Sequence, residues 1–234
     1  FPSNTVPFEY PGIKIKYVSP AQSRYSVESV LEQIDKETIA VVTSYVQYCT
    51  GFRQNLEALG NELNKRNILF IVNATQAFPF YPIDVAAMKI DVLTASMHKW
   101  GCAGITGTLF CTSDEFRKKY PSPIAGWLSV DTGDGDFIHT DKGSQVKLLT
   151  GGERYIFGSM NYQTLLTLRS SLDYLKNIGF ENIRNRILEL SDYFLSKCKS
   201  LPVDIISPVE IKEERSAIVV ISLRNKSNSD FLAW

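Results

Sequence analysis

Long apolar runs are missing from this sequence. No stretch approaches the ~18–20 residues that a membrane-spanning helix needs, and no charged leader followed by an apolar segment marks a secretory signal. An excess of one charge is missing too. Lys and Arg number 25 and Asp and Glu number 25, so the chain carries no basic footprint for nucleic acid or for an anionic membrane. Cysteine is sparse. Cys49, Cys102, Cys111 and Cys198 are irregularly spaced with no CxxC pair, which fits neither a zinc site nor a disulfide framework and points to a reducing cytoplasm. No internal repeat or low-complexity tract is visible.

What is present is enough apolar material for a core: 44% of 234 residues are hydrophobic, which argues against disorder and allows one large domain, or one domain and part of another. The chain begins at Phe1-Pro2-Ser3-Asn4 without an initiator Met and ends on the apolar run Phe231-Leu232-Ala233-Trp234. That pattern is expected of a piece of a longer protein, with a processed terminus as the alternative.

The hydrophobic periodicity predicts a short helix over 26–35 with Ser26 as N-cap, then a β-branched buried strand over 38–46. A turn at Gly51 precedes a helix capped by Asn55, with Leu56, Leu59 and Leu63 on one face and Lys65 and Arg66 near its negative pole. Further strands are predicted at 68–72, 90–96 and 107–112, the last as a hairpin-like partner of the one before. Strand, helix and strand in that order form a crossover unit and imply a parallel sheet. Residues 131–152, rich in Gly, Asp, Thr and Lys, read as a long surface loop. A helix is predicted over 162–175 and another from Gly179 to about Ser200, before Pro202. The segments VDIISP and SAIVVISL read as strands of a smaller second layer. The expected fold class is α/β: a large domain over 1–178 with a mainly parallel sheet flanked by helices, then a linker helix and the beginning of a small α+β domain over 179–234.

Ligands of open α/β sheets sit at the carboxyl ends of the strands. Three polar stations fall there: Ser44–Thr50, Asn73-Ala74-Thr75-Gln76, and Ser96-Met97-His98-Lys99. A lysine in such a setting can form a Schiff base with an aldehyde once its amine is free of its proton, and pyridoxal phosphate is the cofactor that uses one. Ser96 and His98 are candidate donors to its phosphate. Taken singly, each residue has an ordinary explanation: a solvated surface lysine, a packed or capping histidine, Asn73 and Gln76 closing a turn. An aldolase-type lysine without cofactor is a further alternative, though it has no use for a phosphate cradle.

The stretch VNATQAFPFYPIDVAAMKIDVLTASMHKWGCAGITGTLF (72–110) resembles the core of the class V aminotransferase family of pyridoxal-phosphate enzymes. That family carries an acidic-x-x-Gln turn after a strand, then a small-x-His-Lys segment, glycines and another strand. VVTSYVQYCTGFRQNLEALGNEL (41–63) is similar to its strand, Thr-Gly turn and helix; AGW (125–127) and FGSMNYQTLLTLRSSLDYL (157–175) are similar to its later loop and Gly-Thr/Ser segment. The resemblance covers nearly the whole chain in order. It implies that Lys99 is the Schiff-base lysine and moves the substrate's Cα proton, that Gln76 bonds the cofactor's phenolic oxygen, and that Ser96 and His98 bind phosphate. It also implies that Gly158 and Ser159 reach the phosphate of a second subunit's cofactor, making the protein a homodimer with sites at the interface.

One departure from the pattern matters. Asn73 stands where the family has Asp, whose charge keeps the ring nitrogen protonated. An amide can hydrogen-bond that nitrogen but brings no charge, so the electron sink is expected to be weaker. A knock-down, a reaction with less demand on the ring, or loss of catalysis with binding retained all accord with this. The family's N-terminal phosphate turn and stacking residue, and its C-terminal substrate-binding arginine, have no counterpart here; Arg224 is not assigned that role.

The resemblance implies an enzyme acting on an amino acid, with aminotransferase as the default. Cysteine desulfurase, kynureninase-like hydrolase and epimerase are alternatives within the family, and a silent binding or dimerisation module is the alternative outside catalysis. VQYCTG and AGW lean toward the kynureninase and epimerase side. A desulfurase needs a mobile cysteine; Cys198 lies in a helical pattern and reads as structural, and Cys102 follows Lys99 too closely.

Overall fold

A computed structural model describes residues 1–133, 146–224, 227 and 229. Its centre is a four-stranded sheet in the order β1 (Ala40–Ser44), β2 (Leu69–Asn73), β3 (Val92–Ser96) and β4 (Thr108–Thr112). The first three strands run parallel and β4 returns antiparallel to β3, so the mainly parallel sheet and the hairpin-like fourth strand are both found.

The crossover from β1 to β2 is α3 (Leu56–Lys65). Asn55 caps it by accepting the Ala58 N–H at 3.1 Å, and Arg66 at its far end reaches back to the Glu62 carbonyl and carboxylate. Leu56, Leu59 and Leu63 recur at helical spacing and are buried against Phe70, Val72 and Ile90. Burial of each leucine contributes about 1.5–3 kcal/mol. Gly60 lies on the same face, where a β-carbon would come within 1.9 Å of the Met88 carbonyl oxygen. The close approach of α3 to the segment before β3 therefore requires glycine.

Two ends differ from expectation for local reasons. The helix predicted over 26–35 is α2, Val27–Leu31, capped by Ser26 at 3.1 Å from the Ser29 nitrogen. It stops early because Asp35 gathers the Glu37 N–H and the Thr38 hydroxyl, at 3.0 and 2.9 Å, and such side-chain bonds compete with helix. The same turn delays β1 to Ala40.

Two helices appear that the periodicity did not predict. The first is α1 (Val6–Glu9). The second is α4 (Asp114–Lys119), capped by Ser113, with acids in its first turn and bases in its last. Both are too short for a periodic pattern, though the charge order in DEFRKK suits the helix dipole.

The long helices are α5 (Tyr162–Ile178) and α6 (Phe180–Cys198), divided at Gly179. Beyond them the two predicted strands shrink to β5 (Val203–Ile205) and β6 (Ile221–Leu223), paired antiparallel. Their intervening residues are taken up by turns against the large sheet: Ser216 donates to the Gly51 carbonyl at 2.6 Å, and Arg53 donates to the Arg215 carbonyl at 3.0 Å. The middle of the loop predicted over 131–152 and the terminal run 231–234 lie outside the described residues. Among the described residues no helix is long and apolar enough to cross a membrane.

Replacing Gly60 with Ala should destabilise the chain by about 1–3 kcal/mol through overpacking. Urea denaturation reads this directly, and an unchanged midpoint would show that α3 has room to move off the sheet.

Candidate active site

The parallel register fixes where the polar stations meet. Ser44 pairs with Asn73 and Asn73 with Thr94, so the carboxyl ends of β1, β2 and β3 lie side by side. The predicted strand 68–72 is shifted by one residue, which brings Asn73 into β2 as its last member.

Asn73 is half-buried, and each end of its amide has one protein partner, with one Nδ2 hydrogen left over. Its Oδ1 accepts the Thr75 N–H at 3.0 Å, and its Nδ2 donates to Asn4 Oδ1 at 2.8 Å. Asn4 in turn donates to Ser44 Oγ at 3.0 Å, linking the first two stations. Thr75 Oγ1 accepts the Ser96 N–H at 3.0 Å, which ties the second station to the third. Ser96 Oγ lies 3.3 Å from Thr108 Oγ1 across the antiparallel pair.

Gln76 is held from behind. Trp100 donates its indole N–H to Gln76 Oε1 at 3.0 Å, and the indole packs edge-on against Phe80 with centroids 6.0 Å apart. A cavity of about 10 Å³ lined by Gln76, Phe80, Trp100 and Arg184 adjoins this pair, with room for about one water.

Lys99 is half-buried in the turn that follows β3. The Lys99 carbonyl accepts the Cys102 N–H, and Met97 is bound at both ends, to Gly107 and Ala103. Its Nζ stands 5.5 Å from the centre of the Phe1 ring, and that ring meets Tyr48 edge-on at 5.3 Å. The aromatic faces come from the N-terminal segment and from the first station. His98, beside it, is exposed.

The structure thus brings Asn73, Gln76, Ser96 and Lys99 to one end of the sheet. Gly158 and Ser159 occupy a different stretch, between a 3-10 turn (Gly152–Tyr155) and α5. A β-carbon on Gly158 would stand 3.6 Å from the Trp127 indole nitrogen, and one on Gly126 only 1.8 Å from the Phe157 oxygen. The AGW and FGS segments are therefore packed backbone to backbone, which only glycine at 126 permits. Sequence reasoning missed Trp100, Asn4 and Phe1 as neighbours of the site. Only Trp100 carried a signal, as an aromatic directly after the lysine.

A groove of about 970 Å³ opens elsewhere, between α2, α3 and the 211–214 turn, lined by Glu28, Arg53, Gln54, Glu57 and Glu213 among others. It contains no lysine and none of the candidate cofactor-binding residues Asn73, Gln76, Ser96, His98, Gly158 and Ser159. Asn73 and Gln76 lie instead at the end of β2, and Ser96 and Lys99 at the end of β3. No group of three or more His, Cys, Asp or Glu among the described residues is arranged to hold a metal.

An α/β sheet with a lysine and two amides at its carboxyl edge defines a class of ligand-binding fold, and comparison with known proteins narrows it. Residues 4–233 match aminotransferase class V, and the chain belongs to that family of pyridoxal-phosphate-dependent enzymes. It is 25% identical over 228 residues to an uncharacterized aminotransferase of Schizosaccharomyces pombe, covering 94% of this chain and 56% of that protein. It is also 25% identical over 204 residues to a probable cysteine desulfurase of Borreliella burgdorferi, covering 87% of this chain and 47% of the relative. Among solved structures, a cysteine desulfurase from Thermococcus onnurineus superposes with a TM-score of 0.78 at 19% identity, over 99% of this chain and 56% of that one. An alanine–glyoxylate aminotransferase from Nostoc sp. gives 0.69 at 17% identity, over 96% and 57%. The chain spans about half the length of the curated relatives it matches.

Thr75→Val should remove the acceptor of the Ser96 N–H and cost about 1–3 kcal/mol, the range for a polar group left without its partner. Chemical denaturation measures it; no loss of stability would mean that this tie between β2 and β3 is replaced by solvent.

Proposed function

We propose that this chain contributes the cofactor-holding centre of a pyridoxal-phosphate-dependent enzyme that acts on an amino acid, with aminotransferase as the default reaction. The observation that carries the reading is the convergence of Lys99, Gln76, Asn73 and Ser96 at the ends of two adjacent parallel strands. The donor set fits the cofactor: an amine for its aldehyde, amides for its ring substituents, and hydroxyls for its phosphate.

Bound there, pyridoxal phosphate supplies a ring that draws charge from the substrate's Cα. Lys99 would hold the cofactor by its aldehyde and serve as the group that moves the substrate's Cα proton. Gln76 would hold the phenolic oxygen with the amide end that Trp100 leaves free. Asn73 would meet the ring nitrogen, and Ser96 with the exposed His98 would bind phosphate oxygens.

The protein acts as a homodimer in which Gly158 and Ser159 serve the second subunit's site. Support comes from large apolar side chains left exposed nearby in sequence, among them Trp127, Phe157, Met160 and Tyr162, since exposed apolar surface marks association. Residues 1–178 form the cofactor domain and 179–234 the linker and start of a smaller one. Four unpaired cysteines suit a reducing cytoplasm.

Cysteine desulfurase is the second reading, favoured by the relatives that bear that name. Of the cysteines, Cys198 is buried, whereas Cys49 and Cys102 are exposed. Assay of sulfide release from cysteine against amino transfer to a keto acid separates the two.

Incubation with pyridoxal phosphate should give the visible absorbance of a lysine-linked cofactor, made permanent by borohydride as a mass adduct on Lys99. Lys99→Ala should lose both the band and the adduct. A wild-type chain that stays colourless and unmodified contradicts the proposal.

A further inference from the structure

The reading of the site just given leaves one property open, the protonation state of the ring it holds. Two half-buried side-chain amides decide this, because each has a carbonyl end that accepts and an NH2 end that donates. Their orientations follow from their protein partners rather than from choice.

Asn73 Oδ1 accepts a backbone N–H, that of Thr75 at 3.0 Å. Turning the amide over would set NH2 against N–H and leave two donors facing each other. The end of Asn73 that remains is Nδ2; one of its two hydrogens goes to Asn4 Oδ1 at 2.8 Å, and the second is the one a ligand would meet. Gln76 is fixed in the same way. Its Oε1 accepts the Trp100 indole N–H at 3.0 Å, and an indole can only donate. Phe80 and the turn around Lys99 hold that indole in place. The free end of Gln76 is its NH2.

No carboxylate among the described residues hydrogen-bonds Asn73, Thr75 or Gln76. Asp84 accepts the Ala87 N–H at 2.9 Å. Asp91, at the far end of β3, accepts the Phe70 N–H at 2.8 Å and the Ser113 hydroxyl at 3.3 Å. The titratable side chains in the third station are Lys99 and His98, neither of them an anion.

We infer that both amides are locked as donors toward the ligand, so the site selects a cofactor ring with an unprotonated nitrogen and an ionised phenolic oxygen. A donor facing the ring nitrogen stabilises its neutral form and opposes protonation. The same kind of donor at the phenolic oxygen stabilises the phenolate. Trp100 is then a positioning residue: it acts through Gln76 and does not touch the ring.

The test uses the full chain loaded with pyridoxal phosphate labelled with ¹⁵N in the ring. The ¹⁵N resonance of the wild type should be that of a neutral pyridine and stay so across the neutral pH range. Asn73→Asp should move it to the protonated position. Trp100→Phe should leave the ring nitrogen unchanged but raise the pH at which the visible band titrates, because Gln76 no longer holds its NH2 to the phenolate. Gln76→Ala should reproduce that shift. A protonated ring nitrogen in the wild type overturns the inference while leaving cofactor binding intact, and the wild-type spectrum alone decides this if a variant fails to fold. Failure of the wild type to take up the cofactor overturns the parent reading instead.

Discussion

The pairing of Ser44 with Asn73, and of Asn73 with Thr94, is the constraint on which the rest depends. A parallel register has no freedom to slip by one residue without turning a buried face outward. Val72 and Ala95 are fully buried, so the residues just beyond them are forced to the same edge. The site is assembled by the requirement that β2 bury its alternate side chains, Phe70 and Val72, beside α3, with β1 and β3 held to it in parallel register. The polar residues at their ends follow as a consequence, and the hydrogen bonds from Asn4 to Ser44, from Asn73 to Asn4 and from Ser96 to Thr75 lace that edge together.

Much of this edge could be read from sequence because it rests on short-range patterns. The five-residue apolar run ended by Asn73 and the mainly apolar strand ended by Ser96 are visible without a structure, as is the leucine stripe of α3 with its Asn55 cap. The family pattern adds the meaning of Lys99 and Gln76. The pieces that escaped are those set by contacts distant in sequence. Asn4 meets Asn73 across 69 residues, and no local pattern announces it. Trp100 and Gln76 are 24 residues apart, joined only because β2 and β3 are neighbours. The strand predicted over SAIVVISL was cut short because Ser216 and Ser207 turn their hydroxyls to backbone groups, at 2.6 Å from the Gly51 carbonyl and 2.8 Å from the Val220 nitrogen, where β-propensity alone expects a continuous ladder.

The large groove beside α3 and the polar strand ends illustrate how size and chemistry separate. The groove's acids are largely neutralised or solvated: Glu62 pairs with Lys65 and Arg66, and Glu214 with Arg24. Lys65 and Arg66, through their hydrogen bonds to it, hold the Glu62 carboxyl below its ordinary range. Such pairs are a solvated surface in balance. At the strand ends, by contrast, the polar groups are directed by backbone partners, and directed donors are what orient a ligand.

Asn73 shows what that direction costs and what it gains. A carboxylate at the end of β2 would need a cation to offset its partial burial, and the nearest the structure offers by hydrogen bonding are neutral groups, the Thr75 N–H and the Asn4 amide. Burial of an unpaired charge is far more expensive than burial of a bonded amide. An amide is satisfied there on the protein's own terms, with both ends engaged, so the edge is stable without depending on a ligand's charge. The corresponding loss is electrostatic: a neutral group cannot hold a proton on a ring nitrogen. Under the proposed function, stability of the strand end and power of the electron sink would therefore pull on this one position in opposite directions. In this chain the edge is self-satisfied, with the Thr75 backbone fixing how the Asn73 amide is turned and Trp100 fixing that of Gln76.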